Sequence, residues 1–185
     1  IGRLIFAGAG TSGRIAVQDG TELYPTFGWP KKRIGYLLAG GLKSLHTSIE
    51  NAEDNVKLAL KETEKLELNC NDVVFGLAAS GNTPFTLEVL RVAKHYNCIT
   101  VAISNNPEGK ILKFGKFKII LDTEQEVIAG STRMKAGTAQ KVCLNLISSL
   151  LMVKLGFVRN GQMINLVAGN KKLRQRMSRI NKIYN

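Results

Sequence analysis

The sequence predicts a doubly wound α/β domain: a five-stranded parallel sheet flanked by helices on both faces. Five short β-rich runs, residues 3–7, 33–38, 72–78, 98–103 and 117–121, recur with longer helical patterns between most of them. The runs are almost continuously apolar, as in Val73-Val74-Phe75-Gly76-Leu77-Ala78, which suits parallel strands covered on both sides. The first run also passes straight into Gly8-Ala9-Gly10-Thr11-Ser12-Gly13-Arg14, a strand turning into a helix N-terminus. At 185 residues and 44% hydrophobic content the chain suffices for one domain with a sizeable core and is too short for two ordinary ones.

Taken in order, the glycine turn leads into a helix from about Ser12, which the Tyr24-Pro25 pair is expected to stop because the residue before a proline disfavours helix. The second strand ends Leu37-Leu38-Ala39-Gly40-Gly41, and a second helix is expected from about Ser44 to Glu64, amphipathic from Asn55 onward. After the third strand comes Ala79-Ser80-Gly81-Asn82-Thr83-Pro84. Pro84 fits the first helical position and Thr83 the cap, which leaves N–H groups aimed above the strand. The fourth strand ends at Ser104-Asn105-Asn106-Pro107 and the fifth at an acid-rich loop, Asp122 to Gly130. From Ser131 a long helix carries Ala139, Val142, Cys143, Leu146, Ile147 and Leu150 at helical spacing and closes at Gly156. That stripe is expected to be core, with part of it open to a subunit interface. In such folds ligands sit beyond the carboxyl ends of the strands, so the polar loops form one rim.

The formal charge is +12, and Lys171, Lys172, Arg174, Arg176, Arg179 and Lys182 hold half of it in a stretch without an acid. A solvated helix face explains that stretch. No interleaved aromatics or recognition helix accompany it, so no nucleic-acid partner is expected. Cys70, Cys98 and Cys143 are dispersed and odd in number, which fits a reducing, cytoplasmic setting. No apolar run long enough to span a membrane is expected, and no signal-peptide pattern is present. The first residue is Ile1 and the chain opens almost inside a strand, so it reads as a fragment of a longer polypeptide. Residues 1–169 are expected to form this α/β domain, and 170–185 the start of a basic helical segment.

Several chemistries can be weighed residue by residue. Gly8, Gly10 and Gly13 match G-x-G-x-x-G, but the second strand ends without the carboxylate a dinucleotide ribose needs. His46 and His95 stand alone and no ligand pair has zinc spacing, so no metal is expected. Ser12 and Ser80 lack a neighbouring histidine base. They and Thr11 suit hydrogen bonds to phosphate oxygens instead. Two carboxylates remain: Glu22, near the end of the first helix, and Glu53, in the acidic stretch Glu50 to Asp54. Converging over a sugar phosphate they would serve as acid and base beside a carbonyl, while spacing alone favours an ordinary helical pair of Glu53 with Lys57.

Six ordered motifs carry a resemblance. They are Gly8 to Arg14, Pro25-Thr26-Phe27-Gly28, Leu38 to Gly41, Glu50 to Asp54, Ala78 to Pro84 and Gly130 to Lys141. Together they resemble the N-acetylmuramic acid 6-phosphate etherase family of the sugar isomerase (SIS) superfamily, from about residue 2 to about residue 173. The resemblance implies elimination followed by hydration. A base takes the C2 proton of the opened sugar, lactate leaves C3 and water adds back, with no cofactor. It implies Glu22 as the acid that protonates the lactate oxygen and Glu53 as the base. Ser80, Gly81, Asn82 and Thr83 are implied as the phosphate loop, with Thr11 and Ser12 nearby, and a homodimer is implied as the assembly. Around Glu22 the chain reads Asp19-Gly20-Thr21-Glu22-Leu23-Tyr24, where the family more often has Asp-Ala-Ser-Glu-Cys-Pro, and Asn51 replaces a usual glycine. The alternatives are a non-catalytic sugar-phosphate sensor resembling glucokinase regulatory protein, which lacks an acid matching Glu22, and the SIS half of a transcriptional regulator.

Overall fold

The computed structural model describes residues 2–184, so Ile1 and Asn185, the outer ends of the expected division into 1–169 and 170–185, lie outside the described residues. The sheet is built from β1 (Leu4–Gly8), β2 (Ile34–Leu38), β3 (Val73–Ala78), β4 (Ile99–Ser104) and β5 (Phe117–Ile120). All neighbouring pairs are parallel, in the order β2-β1-β3-β4-β5. The chain leaves β1 toward one edge and returns to its other side as β3, which places a topological switch, and hence a crevice, above the carboxyl ends of β1 and β3.

Strand alternation sorts the core into two layers. Leu4 and Phe6 pack with Ala16 and Leu23 of α1 (Gly10–Phe27) and with Leu144 and Met152 of α4 (Lys135–Lys154). Ile5 and Ala7 face the other way, onto Ala59 of α2 (Val56–Lys65) and Phe85, Val89 and Leu90 of α3 (Pro84–His95). At the foot of the sheet Asp72 is fully buried and accepts from Arg3 N at 2.9 Å, Arg3 Nε at 3.1 Å, Arg3 Nη2 at 2.6 Å and Asn69 N at 3.1 Å. The pair ties the entry of β1 to the entry of β3.

Four expectations need correction. First, α1 does not stop at Tyr24 but runs through Pro25 to Phe27, ending where Gly28 turns left-handed and its N–H bonds the Tyr24 carbonyl at 2.9 Å. Second, residues 44–64 are not one helix. Tight 3₁₀ turns at Gly41–Leu45 and Ala52–Asp54 precede α2, because Asn51 adopts φ 57° and Asn55 then caps α2 through its Oδ1, which accepts from Leu58 N at 2.9 Å.

Third, α4 starts at Lys135 rather than Ser131, because the Glu126 carboxylate takes the Met134, Lys135 and Ala136 N–H groups at 3.0–3.2 Å and serves as its N-terminal cap. Its buried ridge is Ala136, Gln140, Leu144, Ser148 and Met152, while Val142, Leu146, Leu150 and Val153, 49–61% exposed, form an open apolar stripe. Fourth, α4 is long and apolar enough, by length and composition, to cross a membrane, contrary to the expectation of no such run. Its buried ridge packs it as the outer helix of the sheet.

The sequence reading also left out a small antiparallel hairpin, β6 (Val158–Arg159) and β7 (Gln162–Met163), turned by Asn160-Gly161. The chain then continues to α5 (Lys171–Tyr184), where Ile180 is buried while the basic residues Lys171, Lys172, Arg174, Arg176, Arg179 and Lys182 are exposed.

Candidate active site

Three loops follow the carboxyl ends of β1, β2 and β3 at the switch point of the sheet. The β1–α1 turn is shaped by close approach: a Cβ at Gly13 would stand 2.8 Å from the Gly8 carbonyl carbon, and one at Gly8 would stand 2.8 Å from Gly13 N. Glycine at both positions lets α1 begin directly over β1. Thr11 is half-buried and Ser12 buried in its first turn, beside free N–H groups and the positive helix end. Neither hydroxyl bonds another group among the described residues.

The β3–α3 loop is held by its own backbone. Gly81, at φ 70°, donates to the Ala78 carbonyl at 2.9 Å, and its carbonyl accepts from Ile111 N at 2.9 Å. Asn82 spends its side chain on the loop. Nδ2 donates to the Ser80 carbonyl at 3.0 Å and Oδ1 accepts from Lys110 N at 3.3 Å, while its N–H donates to Ser80 Oγ at 3.2 Å. Asn82 is thus bonded within the loop, while Ser80 is exposed and Thr83 half-buried at the start of α3. Thr83 stands at the N-cap without a side-chain capping bond.

Glu53 stands on the 3₁₀ turn Ala52–Asp54, not within a helix, and forms no ion pair with Lys57. Both residues are exposed. Glu53 lines a cavity of about 230 Å³ together with Ala9, Gly10, Arg14, Ser44, Ser48 and Glu50. The cavity thus joins the β1–α1 turn to the loop after β2. A second cavity, about 400 Å³, lies beyond β3–β5, walled by Ala79, Asn105, Thr123, Glu126 and Ser131. Glu126, held by three backbone N–H groups led by that of Lys135, has its carboxyl below the usual range.

Glu22 is not brought to Glu53 within one chain. α1 runs back down the sheet, and the twelve residues from Gly10 to Glu22 put Glu22 about 18 Å along the helix from the rim. It is exposed, next to α4. One turn before it Asp19 is buried, accepting from Asn145 Nδ2 at 2.6 Å and Ser148 Oγ at 3.2 Å. Burial pushes the Asp19 carboxyl up, and the nearby Glu22 charge adds to this. Sequence reasoning missed Arg14, Ser44, Ser48 and Glu50 as cavity residues. The available signal was the hydroxyl-rich run after Gly40-Gly41, which returns over the glycine turn.

The parallel order β2-β1-β3-β4-β5 is common to doubly wound α/β domains, and within that class this chain is a SIS domain, the sugar-isomerase fold. The family described as glucokinase regulatory protein N-terminal SIS domain matches residues 2–94, and the chain belongs to that family. Its relatives include proteins named N-acetylmuramic acid 6-phosphate etherase: one from Deinococcus radiodurans is 43% identical over 97% of this chain and 59% of its own length, and one from Yersinia pestis is 46% identical over 97% and 61%. The chain therefore spans about three fifths of the relatives it matches. Among solved structures, the sugar isomerase domain of an RpiR transcription factor from Sphaerobacter thermophilus superposes with a TM-score of 0.58 at 15% identity, covering 97% of this chain and 78% of that one. That likeness is one of fold.

Proposed function

We propose that the chain carries the sugar-phosphate site of a carbon–oxygen lyase that cleaves the D-lactyl ether of N-acetylmuramic acid 6-phosphate, giving N-acetylglucosamine 6-phosphate and D-lactate. The observation that carries the proposal is the position of Glu53 on the wall of the cavity at the head of β1 and β2, one strand from the phosphate-suited loop after β3. The relatives' shared name supports the same chemistry.

The phosphate sits against Ser80, Gly81 and Thr83, at the start of α3, with Thr11 and Ser12 completing the cradle and Asn82 holding the loop in shape. Over the Glu53 cavity, the carboxylate removes the C2 proton, made acidic by the C1 aldehyde of the open sugar. The C3–O bond then breaks, the lactate oxygen takes a proton from Glu22, and water adds back across C2 and C3. No cofactor or metal is required.

Because Glu22 stands about 18 Å down its own α1, the acid is supplied by a second copy. α4 packs on α1 and leaves Val142, Leu146, Leu150 and Val153 exposed, and antiparallel pairing of two such stripes would bring the lower end of one α1 toward the rim of the other protomer. The protein acts as a homodimer in the cytoplasm, in recycling of cell-wall sugars, with residues 1–169 as the catalytic domain and 170–185 opening a basic helical segment. The sensor reading is not favoured: Glu22, the acid that the regulator lacks, is present, and the relatives are named as enzymes.

Exchange of the C2 proton in deuterated water tests the base. With the full-length chain, Glu53→Gln is expected to lower exchange by roughly 10²–10⁴-fold. Exchange at the wild-type rate would remove Glu53 from that role.

A further inference from the structure

We propose that Arg14 binds the carboxylate of the lactyl ether and so selects this substrate over sugar phosphates that lack it. The inference rests on the function proposed above. Arg14 lies in the second turn of α1 and lines the Glu53 cavity. Its Nε donates to the Ser44 carbonyl at 2.9 Å, which fixes the plane of the guanidinium against the loop after β2. That bond uses the side edge of the fork and leaves the end-on pair, Nη1 and Nη2, uncommitted. No carboxylate among the described residues comes within ion-pair distance of Arg14, although Glu50 and Glu53 share its cavity.

A planar cation with two parallel N–H groups free matches a carboxylate better than any other group this substrate carries on that side. The 6-phosphate, seated over the β3 loop, lies about two strand spacings, roughly 9–10 Å, from β2. The ring end bearing C2 and C3 therefore falls on the Arg14 side. Glu50 and Glu53 would repel a third carboxylate there, and among the described residues Arg14 is the only cationic side chain lining the cavity to offset them. The bond to Ser44 pre-orients the fork, so little rotamer freedom remains to be lost when the substrate arrives.

Two reactions of the full-length protein separate this role from the others. Lactate release from N-acetylmuramic acid 6-phosphate needs the lactyl carboxylate to be bound, whereas C2 proton exchange in N-acetylglucosamine 6-phosphate uses the same base without it. Arg14→Ala is expected to raise KM for lactate release by at least about 10–100-fold, the range for a single hydrogen bond to a charged group and so a floor for a two-point contact. The KM for exchange should move by less than about threefold. Arg14→Lys, which keeps the charge but not the fork, should fall between the two and guards against a folding defect in the alanine variant. Equal losses in both reactions, in either variant, would overturn the assignment and return Arg14 to shaping the Ser44 loop. A wild-type protein that exchanges but releases no lactate would overturn the underlying function as well.

Discussion

Gly81→Ala adds a single methyl group to the loop that would hold the phosphate, and the structure sets its cost. Gly81 has φ 70°, and the new Cβ would stand 2.3 Å from Gly109 Cα and 2.7 Å from Ser104 Oγ. A non-glycine residue in the left-handed region costs about 1–2 kcal/mol. Overpacking against backbone that cannot swing aside adds about 1–3 kcal/mol, for a total of roughly 2–5 kcal/mol. For a domain of this size that lowers Tm by about 4–20 °C. Gly130→Ala is the matched control: φ is 79° but nothing lies within 4 Å of its Cβ, so only the conformational part applies, about 2–8 °C. Thermal melts followed by circular dichroism, run on both variants, isolate the contact. Gly81→Ala should also raise KM for the phosphorylated sugar, since relieving the clash displaces Ser80 and Thr83. Equal Tm losses in the two variants, or a Gly81→Ala protein with unchanged KM, would refute the account of this loop.

Other outcomes can be stated briefly. Asp72→Ala leaves the Arg3 guanidinium without its partner at the foot of the sheet and is expected to cost about 3–5 kcal/mol in urea unfolding. Burial alone would raise the Asp72 carboxyl, but the hydrogen bonds from Arg3 and Asn69 outweigh it and hold the group below its ordinary value. Its contribution is therefore complete above about pH 5 and disappears as pH falls through the depressed value, so the gap between wild type and variant should begin to narrow below about pH 4 and keep narrowing as the pH falls further. Glu22→Gln should slow lactate release by about 10²–10⁴-fold while sparing C2 exchange, and equal losses would argue against separate acid and base. Leu146→Glu, at a side chain 58% exposed, should keep the native circular dichroism spectrum and convert dimer to monomer in sedimentation, with loss of lactate release. A monomeric wild type would contradict the shared site.

The strands and the start of α3 could be read from the chain because their signals are local. The six-residue apolar run Val73 to Ala78, bounded by turn residues, suits a strand buried on both faces, and Thr83-Pro84 supplies a cap residue and a first-turn proline for a helix. The second helix misread for an equally local reason: apolar spacing from Ser44 to Glu64 does not show that Asn51 turns left-handed, and that turn is what lifts Glu53 out of a helix and onto the cavity wall. The chain also does not show that the Asn82 side chain bonds the Ser80 carbonyl and Lys110 N, since Lys110 comes from a distant loop that only the fold brings near.

The sequence by itself determined the class of fold and the order of its strands and turns along the chain, since periodicity and turn chemistry act over a few neighbouring residues. Only the tertiary structure decided which side of α4 is core and which is open, because 3.6-residue periodicity marks an apolar stripe without saying what covers it. The tertiary structure likewise set Glu22 and Glu53 at different heights. Separation along a crossover helix depends on the direction α1 takes across the sheet, and residue spacing in the chain carries no record of that direction.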